Sequence, residues 1–485
     1  MKPVTKRACL FAITATLLVL NGNASAQQYP APLHVETVLA SSHEHFPEIL
    51  DSLAKQRGAD GRVLEADGAF DLVFDADGFN RADGFWDGSA VEAQATQPLG
   101  PLGAEVYAGY RLSDGFFPVY EDYFYTNSGG QLKAGVLFSL LRDRTIDERR
   151  FGKSDARLAR RQADFDVLLT KIGVQQQALV AYWRWVTAGQ VLGTYEQLLR
   201  IALDREAGLE EQVSSGARAK IFLVENRQNI TRRQTLVASA ERDLVMAANA
   251  LSLYYRDDNG APLMPQREQL PPAGNIEETE PLSIPQQDVT TVALARRPEL
   301  EILDTAVKRA QQRVALAENS AKPRLDFGVE LQSPLGSVAE GGISRDTDNT
   351  IIGFQFSVPI QRRGAKGQIA QQRAEIDSLQ QQQRLMTDRI EIEVTNILVD
   401  LNVAEELLVL AAQEVGQAEI LAVAEQERFA NGASDFFLVN IREETAANAV
   451  IKYYAADLKR RVARADFDAA TVDLERLGIN ESDVQ

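Results

Sequence analysis

Two long proline-free runs, spanning residues 366–477, meet at Asn431-Gly432-Ala433. Residues 368–430 hold a single glycine, Gly416. Apolar or small side chains recur there at threes and fours: Ile390, Val394, Ile397, Leu401, Ala404, Leu408, Ala411, Val415, Ala418 and Ala422. That spacing gathers them on one narrow stripe, as in a helix seated in a seam between other helices. At about 1.5 Å per residue, a run of about sixty residues makes a rod roughly 90 Å long, too long for an ordinary globular domain. Asn-Gly is a turn signal, and residues 436–477 read as the returning helix. The rest of the chain must hold a hairpin of this length.

Residues 1–26 have the pattern of a secretory signal peptide. Lys2, Lys6 and Arg7 precede an apolar run over 8–20, Ala24-Ser25-Ala26 offers a small-residue cleavage site, and Gln27 is the expected mature start. The apolar run is short for a retained anchor. The only cysteine, Cys9, leaves with that peptide, so the expected mature chain has no disulfide and no cysteine metal site. Loss of those three basic residues moves the net charge from −18 to −21, which argues against nucleic acid as a partner. No later stretch has the roughly 18 uninterrupted apolar residues of a membrane helix. Soluble, anchored and β-barrel proteins all remain open on composition.

The order of patterns along the chain narrows this. Residues 35–65 read as a helix, with Pro47 at a bend or a true start. Period-two alternation follows. Phe70, Leu72 and Phe74 alternate with Asp71 and Asp75, and Val106, Ala108, Tyr110 and Leu112 with Glu105, Tyr107, Gly109 and Arg111. Leu132, Ala134, Val136, Phe138 and Leu140 continue it after an aromatic loop from Phe116 to Tyr125. Asp77-Gly78, Asp83-Gly84 and Asp87-Gly88 read as turns. Helix returns over 146–213, breaks at Ser214-Ser215-Gly216-Ala217 and resumes over 221–255.

After a connector at 257–287, the same plan is written again. A helix covers 288–320, and strands lie within about 324–360, including Leu325, Phe327, Val329 and Leu331, then Ile352, Phe354, Phe356, Val358 and Ile360. The hairpin at 366–477 follows. Arg297-Pro298-Glu299-Leu300 matches Phe46-Pro47-Glu48-Ile49, and Ser215-Gly216-Ala217 matches Asn431-Gly432-Ala433. A duplication follows: a first repeat at 27–256 (strands about 69–141, hairpin 146–255), a second at 288–478, and a tail at 479–485.

About ten alternating residues is the length of a tilted strand crossing an outer membrane. A sheet in lipid must close, because open edges cannot sit there. Two strands per half give four per chain, or six if the further alternating segments of the first half count. Single-chain barrels need about eight. One chain cannot close the barrel, so strands in a membrane require an oligomer sharing it. The aromatic residues Phe116, Phe117, Tyr120, Tyr123, Phe124 and Tyr125 suit either an interfacial belt or a packed outer loop.

The duplicated helix–strand–strand–helix plan, Arg297-Pro298-Glu299-Leu300 before a helix and the glycine-containing tips resemble the TolC-type outer-membrane efflux family. The resemblance covers residues from about 37 to 477 and rests on order and duplication more than on any one motif. It implies a mainly α fold with a membrane β-barrel portion. Three copies would share a twelve-stranded barrel, four strands each, continuous with an α-barrel of long antiparallel hairpins reaching into the periplasm. It implies a passive exit duct in the outer membrane, serving a tripartite efflux pump or type I secretion. Its partners would be two further copies, a periplasmic adaptor, an inner-membrane transporter and outer-membrane lipid. The adaptor's helices would dock on Ser215, Gly216, Ala217, Asn431, Gly432 and Ala433, where small residues admit close approach. The periplasmic gate would lie near the tips. Leu438 and Ile441 stand where some relatives place acids, which leaves Glu427 and Asp435 as the acidic candidates and Arg218 and Lys220 as partners for Asp435.

Other chemistry has little support. His43 and His45 lie two apart, about 200° around a helix, and cannot easily share a metal. The Asp-Gly pairs lack the twelve-residue calcium pattern. With three histidines, no nucleophile–base set and no phosphate loop, the chain reads as neither enzyme nor cofactor binder. A competing class is a periplasmic or surface coiled-coil structural protein or adhesin without a pore, which would need no detergent.

Overall fold

The computed structural model describes residues 31–272, 288–338 and 347–480. The expected signal peptide, Cys9, residues 273–287 of the connector and the last five of the tail lie outside the described residues.

The chain opens with α1 (Val35–His45) and α2 (Pro47–Gly68). The helix expected over 35–65 is thus two helices. Pro47 has no amide hydrogen and its ring disfavours a helical residue before it, so Phe46 is extended (φ −74°, ψ 126°) and Pro47 takes the first helical position. Arg297 repeats the geometry (φ −65°, ψ 119°) before Pro298.

Four strands follow, β1 (Val73–Asn80), β2 (Ser89–Pro98), β3 (Glu105–Asp114) and β4 (Gln131–Ser139). Then come α3 (Glu148–Ser214) and α4 (Lys220–Ser252). The second half holds α5 (Val289–Arg296), α6 (Pro298–Ser320), β5 (Arg324–Pro334), β6 (Asn349–Ser357), α7 (Arg363–Ala430) and α8 (Phe436–Ala470). Its 67 and 68 residues make α3 and α7 rods of about 100 Å. The paired short helices cover them: α2 and α4 lie along α3, α6 and α8 along α7, and α3 also meets α6 and α8. Between α1, α3, α4 and the end of α8 sits the largest apolar core, with Trp185 fully buried. Trp183 lies at its edge under the Arg461 guanidinium, 3.6 Å from the ring centre.

The six strands form one antiparallel sheet in chain order, β1-β2-β3-β4-β5-β6. This departs from the four strands per chain that the family resemblance implies. The first half contributes four strands and the second two. β2 carries its outward positions largely on Val91, Ala93 and Ala95, and the weak hydrophobicity of the alanines hides the alternation. Asp77-Gly78, expected as a turn, lies inside β1 and pairs with Glu92 and Val91; the turn is made further on, around Asp83-Gly84 and Asp87-Gly88. β6 ends at Ser357, so Val358 and Ile360 lie beyond it, where Pro359 has no N–H for a ladder. α8 ends at Ala470 rather than continuing to 477; the turns after it return Leu477 and Ile479 to the core.

Candidate functional site

The two ends of the molecule are built differently, and the helical end comes first. The loops between α3 and α4 and between α7 and α8 are near copies. Gly216 (φ +78°) and Gly432 (φ +75°) occupy left-handed backbone, which favours glycine. Their amides donate to Val213 O at 3.1 Å and Phe429 O at 3.0 Å. In each case the next helix starts four residues later, at Lys220 and Phe436. Ser215, Gly216, Ala217, Asn431, Gly432 and Ala433 are all exposed. An added Cβ at either glycine would meet nothing within 4 Å. Both tips therefore present bare backbone on an open surface.

Behind the tips, Phe222, Phe429 and the fully buried Phe436 cluster with Leu209 and Leu223, which pins the two hairpins together. Arg218 stacks on this cluster, 4.5 Å from the Phe429 ring centre and 5.5 Å from that of Phe222. Asp435 caps α8 by accepting the Leu438 amide at 2.8 Å. Burial of Glu225 raises its carboxyl above the usual range, and the nearby Asp435 charge adds to the shift. Within one chain the described residues form no ion pair between Asp435 and either Arg218 or Lys220. Glu427 is exposed and lends its main-chain carbonyl to the Asn431 amide.

A buried charge cluster lies deeper, and sequence spacing gives no sign of it. Glu443 of α8 accepts from Arg205 of α3 and, at 3.0 Å, from Arg233 of α4. Gln426 of α7 donates to it at 3.1 Å. Arg233 also donates to Leu198 O at 2.7 Å, and Arg205 to Asn440 Oδ1 at 3.1 Å. Burial alone would raise the Glu443 pKa; the hydrogen bonds and charges of the two arginines outweigh it and hold the pKa below the usual range. One carboxylate thus joins all four tip helices.

At the other end, the sheet's burial is the reverse of a soluble protein's. Along β3, Val106, Ala108, Tyr110 and Leu112 are exposed, while Glu105, Tyr107, Gly109 and Arg111 are half-covered. The pairing extends each face across the sheet. Phe74, Ala95, Ala108, Ala134 and Leu331 form one row of partners on the exposed side. Asp75, Gln94, Gly109, Lys133, Gln332 and Asn349 form a row on the covered side. Phe354 and Ile352 on β6 are 79% and 66% exposed. On the covered side Glu92 takes both Lys133 and Arg111, and Tyr107 donates to Glu330 at 2.5 Å. The strand loops 81–88 and 115–130 sit at the end away from the helices. There Phe117 and Tyr125 are buried with Ala90 and Phe124, whereas Phe116, Tyr120 and Tyr123 face out. The aromatic segment is thus partly a packed loop and partly an exposed rim.

Solved structures share this architecture. The chain resembles the open state of the Neisseria gonorrhoeae MtrE outer membrane channel, with TM-score 0.63 and 14% identity over 92% of this chain and 89% of that one. It likewise resembles the Campylobacter jejuni CmeC outer membrane channel, with TM-score 0.62 and 14% identity over 92% and 90%. A third is the Vibrio cholerae outer membrane protein VceC, at 0.60 and 14% over 90% and 95%. No family model matches the sequence, and no curated protein matches it. With end-to-end coverage of channels of this kind, the chain has the TolC-type fold.

Proposed function

We propose that this protein is a passive exit duct of the outer membrane, assembled from three copies of the chain and serving a tripartite efflux pump or type I secretion system. The observation that carries this is the sheet whose apolar face points out and whose ionised face is covered. Water leaves such a face exposed only at high cost, whereas lipid matches it. The helical hairpins then extend into the periplasm from the opposite end of the sheet.

The apolar surface of α7 supports assembly from several copies. An 18-residue window of this helix has mean hydropathy 1.5, yet only 17% of it is buried within one chain. Val399, Val403, Leu407 and Leu410 are 40–55% exposed along one side. Neighbouring copies cover such a stripe in a closed ring of helices.

The tips supply the docking surface for a periplasmic adaptor, which couples the duct to an inner-membrane transporter. Gly216→Leu with Gly432→Leu strains each turn by about 1–2 kcal/mol, while the Cβ added at either position has nothing within 4 Å. The double variant is expected to insert and conduct normally while losing cross-linking to its adaptor and losing export. Export at the wild-type level would remove the tips from docking.

Asp435 belongs to the gate in this reading, paired with Arg218 or Lys220 of a neighbouring copy in the closed state. Asp435→Asn keeps an acceptor for the α8 cap and removes the charge. The expected result is a higher single-channel conductance or greater antibiotic leakage, and unchanged values would reject the latch. The reading as a whole is tested by fractionation. The protein should sediment with outer membrane on a density gradient and come out only with detergent. Recovery in the soluble periplasmic extract would overturn it.

A further inference from the structure

Both outer strands of the sheet have an unused edge. β2 is paired with β3 from Ser89↔Asp114 to Pro98↔Glu105, which consumes the edge of β3 along its whole length. The β1–β2 hairpin therefore stands at the same height as the other strands and does not project from one end. It also obeys their two faces. Phe74, Ala76, Val91, Ala93 and Ala95 continue the outward apolar face, and Asp75, Asp77, Glu92 and Gln94 continue the inward polar one. Every residue of β1 and of β6 is exposed. A free strand edge in lipid leaves a row of N–H and C=O groups unpaired at several kcal/mol each, so neither edge can stay open.

We propose that β1 of each chain pairs with β6 of the next copy, so that three copies close an eighteen-stranded barrel. This rests on the three-copy reading above. Six is an even number, so β6 runs antiparallel to β1 and the seam keeps the alternation found inside the chain. The edges also match in length, eight residues in β1 and nine in β6. The partner is a second copy because a six-stranded sheet is too narrow to close on itself, and each copy offers one edge of either kind. Barrel diameter grows roughly in proportion to strand number, and barrels of 16–18 strands leave an aqueous channel. The outer-membrane section is then about as wide as a general porin, so the helical tips set the flow.

Cysteine pairs test this in a Cys9→Ala background, the sequence's only cysteine being Cys9. Asp75→Cys on β1 is combined in turn with Gln355→Cys, Gly353→Cys, Ile351→Cys or Asn349→Cys, the inward positions of β6. Tyr107→Cys on β3 is combined with the same set. After oxidation in membranes, at least one Asp75 combination should give covalent dimers and trimers, and no Tyr107 combination should. Tyr107 cross-links without Asp75 cross-links would place β6 against β3 and overturn the eighteen-stranded seam. Trimers seen by an amine-reactive cross-linker, with no disulfide from either set, would also overturn it while leaving the three-copy reading intact. A ladder ending at dimers would overturn both.

Discussion

Glu443→Ala should weaken the folded protein by about 3–5 kcal/mol, the usual effect of removing one partner from a buried charge cluster. Arg233 is almost wholly buried and Arg205 largely so. Without the carboxylate, both keep their charge and lose its compensation. Because α3, α4, α7 and α8 all meet at this residue, the loss should fall on the tip half of the helical barrel, read as earlier urea unfolding and faster proteolysis near the tips. The pH dependence has a definite sign. A carboxylate held below its unfolded pKa contributes fully above that value, about 4.3, and loses its contribution as pH falls through the folded pKa. The gap between wild type and Glu443→Gln should thus be widest at neutral pH and narrow in acid. A gap that widens in acid would contradict the assignment.

Phe354→Arg should cost about 2–4 kcal/mol if Phe354 lies near the bilayer midplane, the range for a cation on the lipid face of a barrel. Its neighbour Gln355 is on the other face, in register with Asp326. Gln355→Arg should leave assembly intact and change only conduction. The pair of variants separates lipid exposure from general intolerance of β6 to charge. Poor recovery of folded oligomer for Phe354→Arg alone is the expected result. Equal recovery of both would place the outward face in water.

The parts of this molecule visible in its sequence are those with dense local signals. Apolar residues at threes and fours, bounded by Ser-Gly-Ala and Asn-Gly-Ala, define α3, α4, α7 and α8 to within a few residues at most ends. The Phe46-Pro47 and Arg297-Pro298 pairs mark helix starts because proline acts on its own neighbours. β3 and β4 alternate large apolar residues with polar ones and are equally plain. β2 is hidden because alanine says little about a face. Asp77-Gly78 misleads because a glycine inside a strand and a glycine in a turn look alike until the partner strand is known. The Glu443 cluster is illegible for a different reason. Its arginines lie 210 and 238 residues away in the chain, so only tertiary packing joins them. Arg218 likewise stacks on the Phe429 ring of the other hairpin, a contact between distant parts of the chain that no local spacing announces.

The most direct measurement is conductance of the detergent-purified protein in planar lipid bilayers, with its oligomeric state fixed by cross-linking beforehand. Insertion should give discrete, long-lived steps carried by a three-copy species. A protein that stays in aqueous solution as a single chain and produces no steps would contradict it.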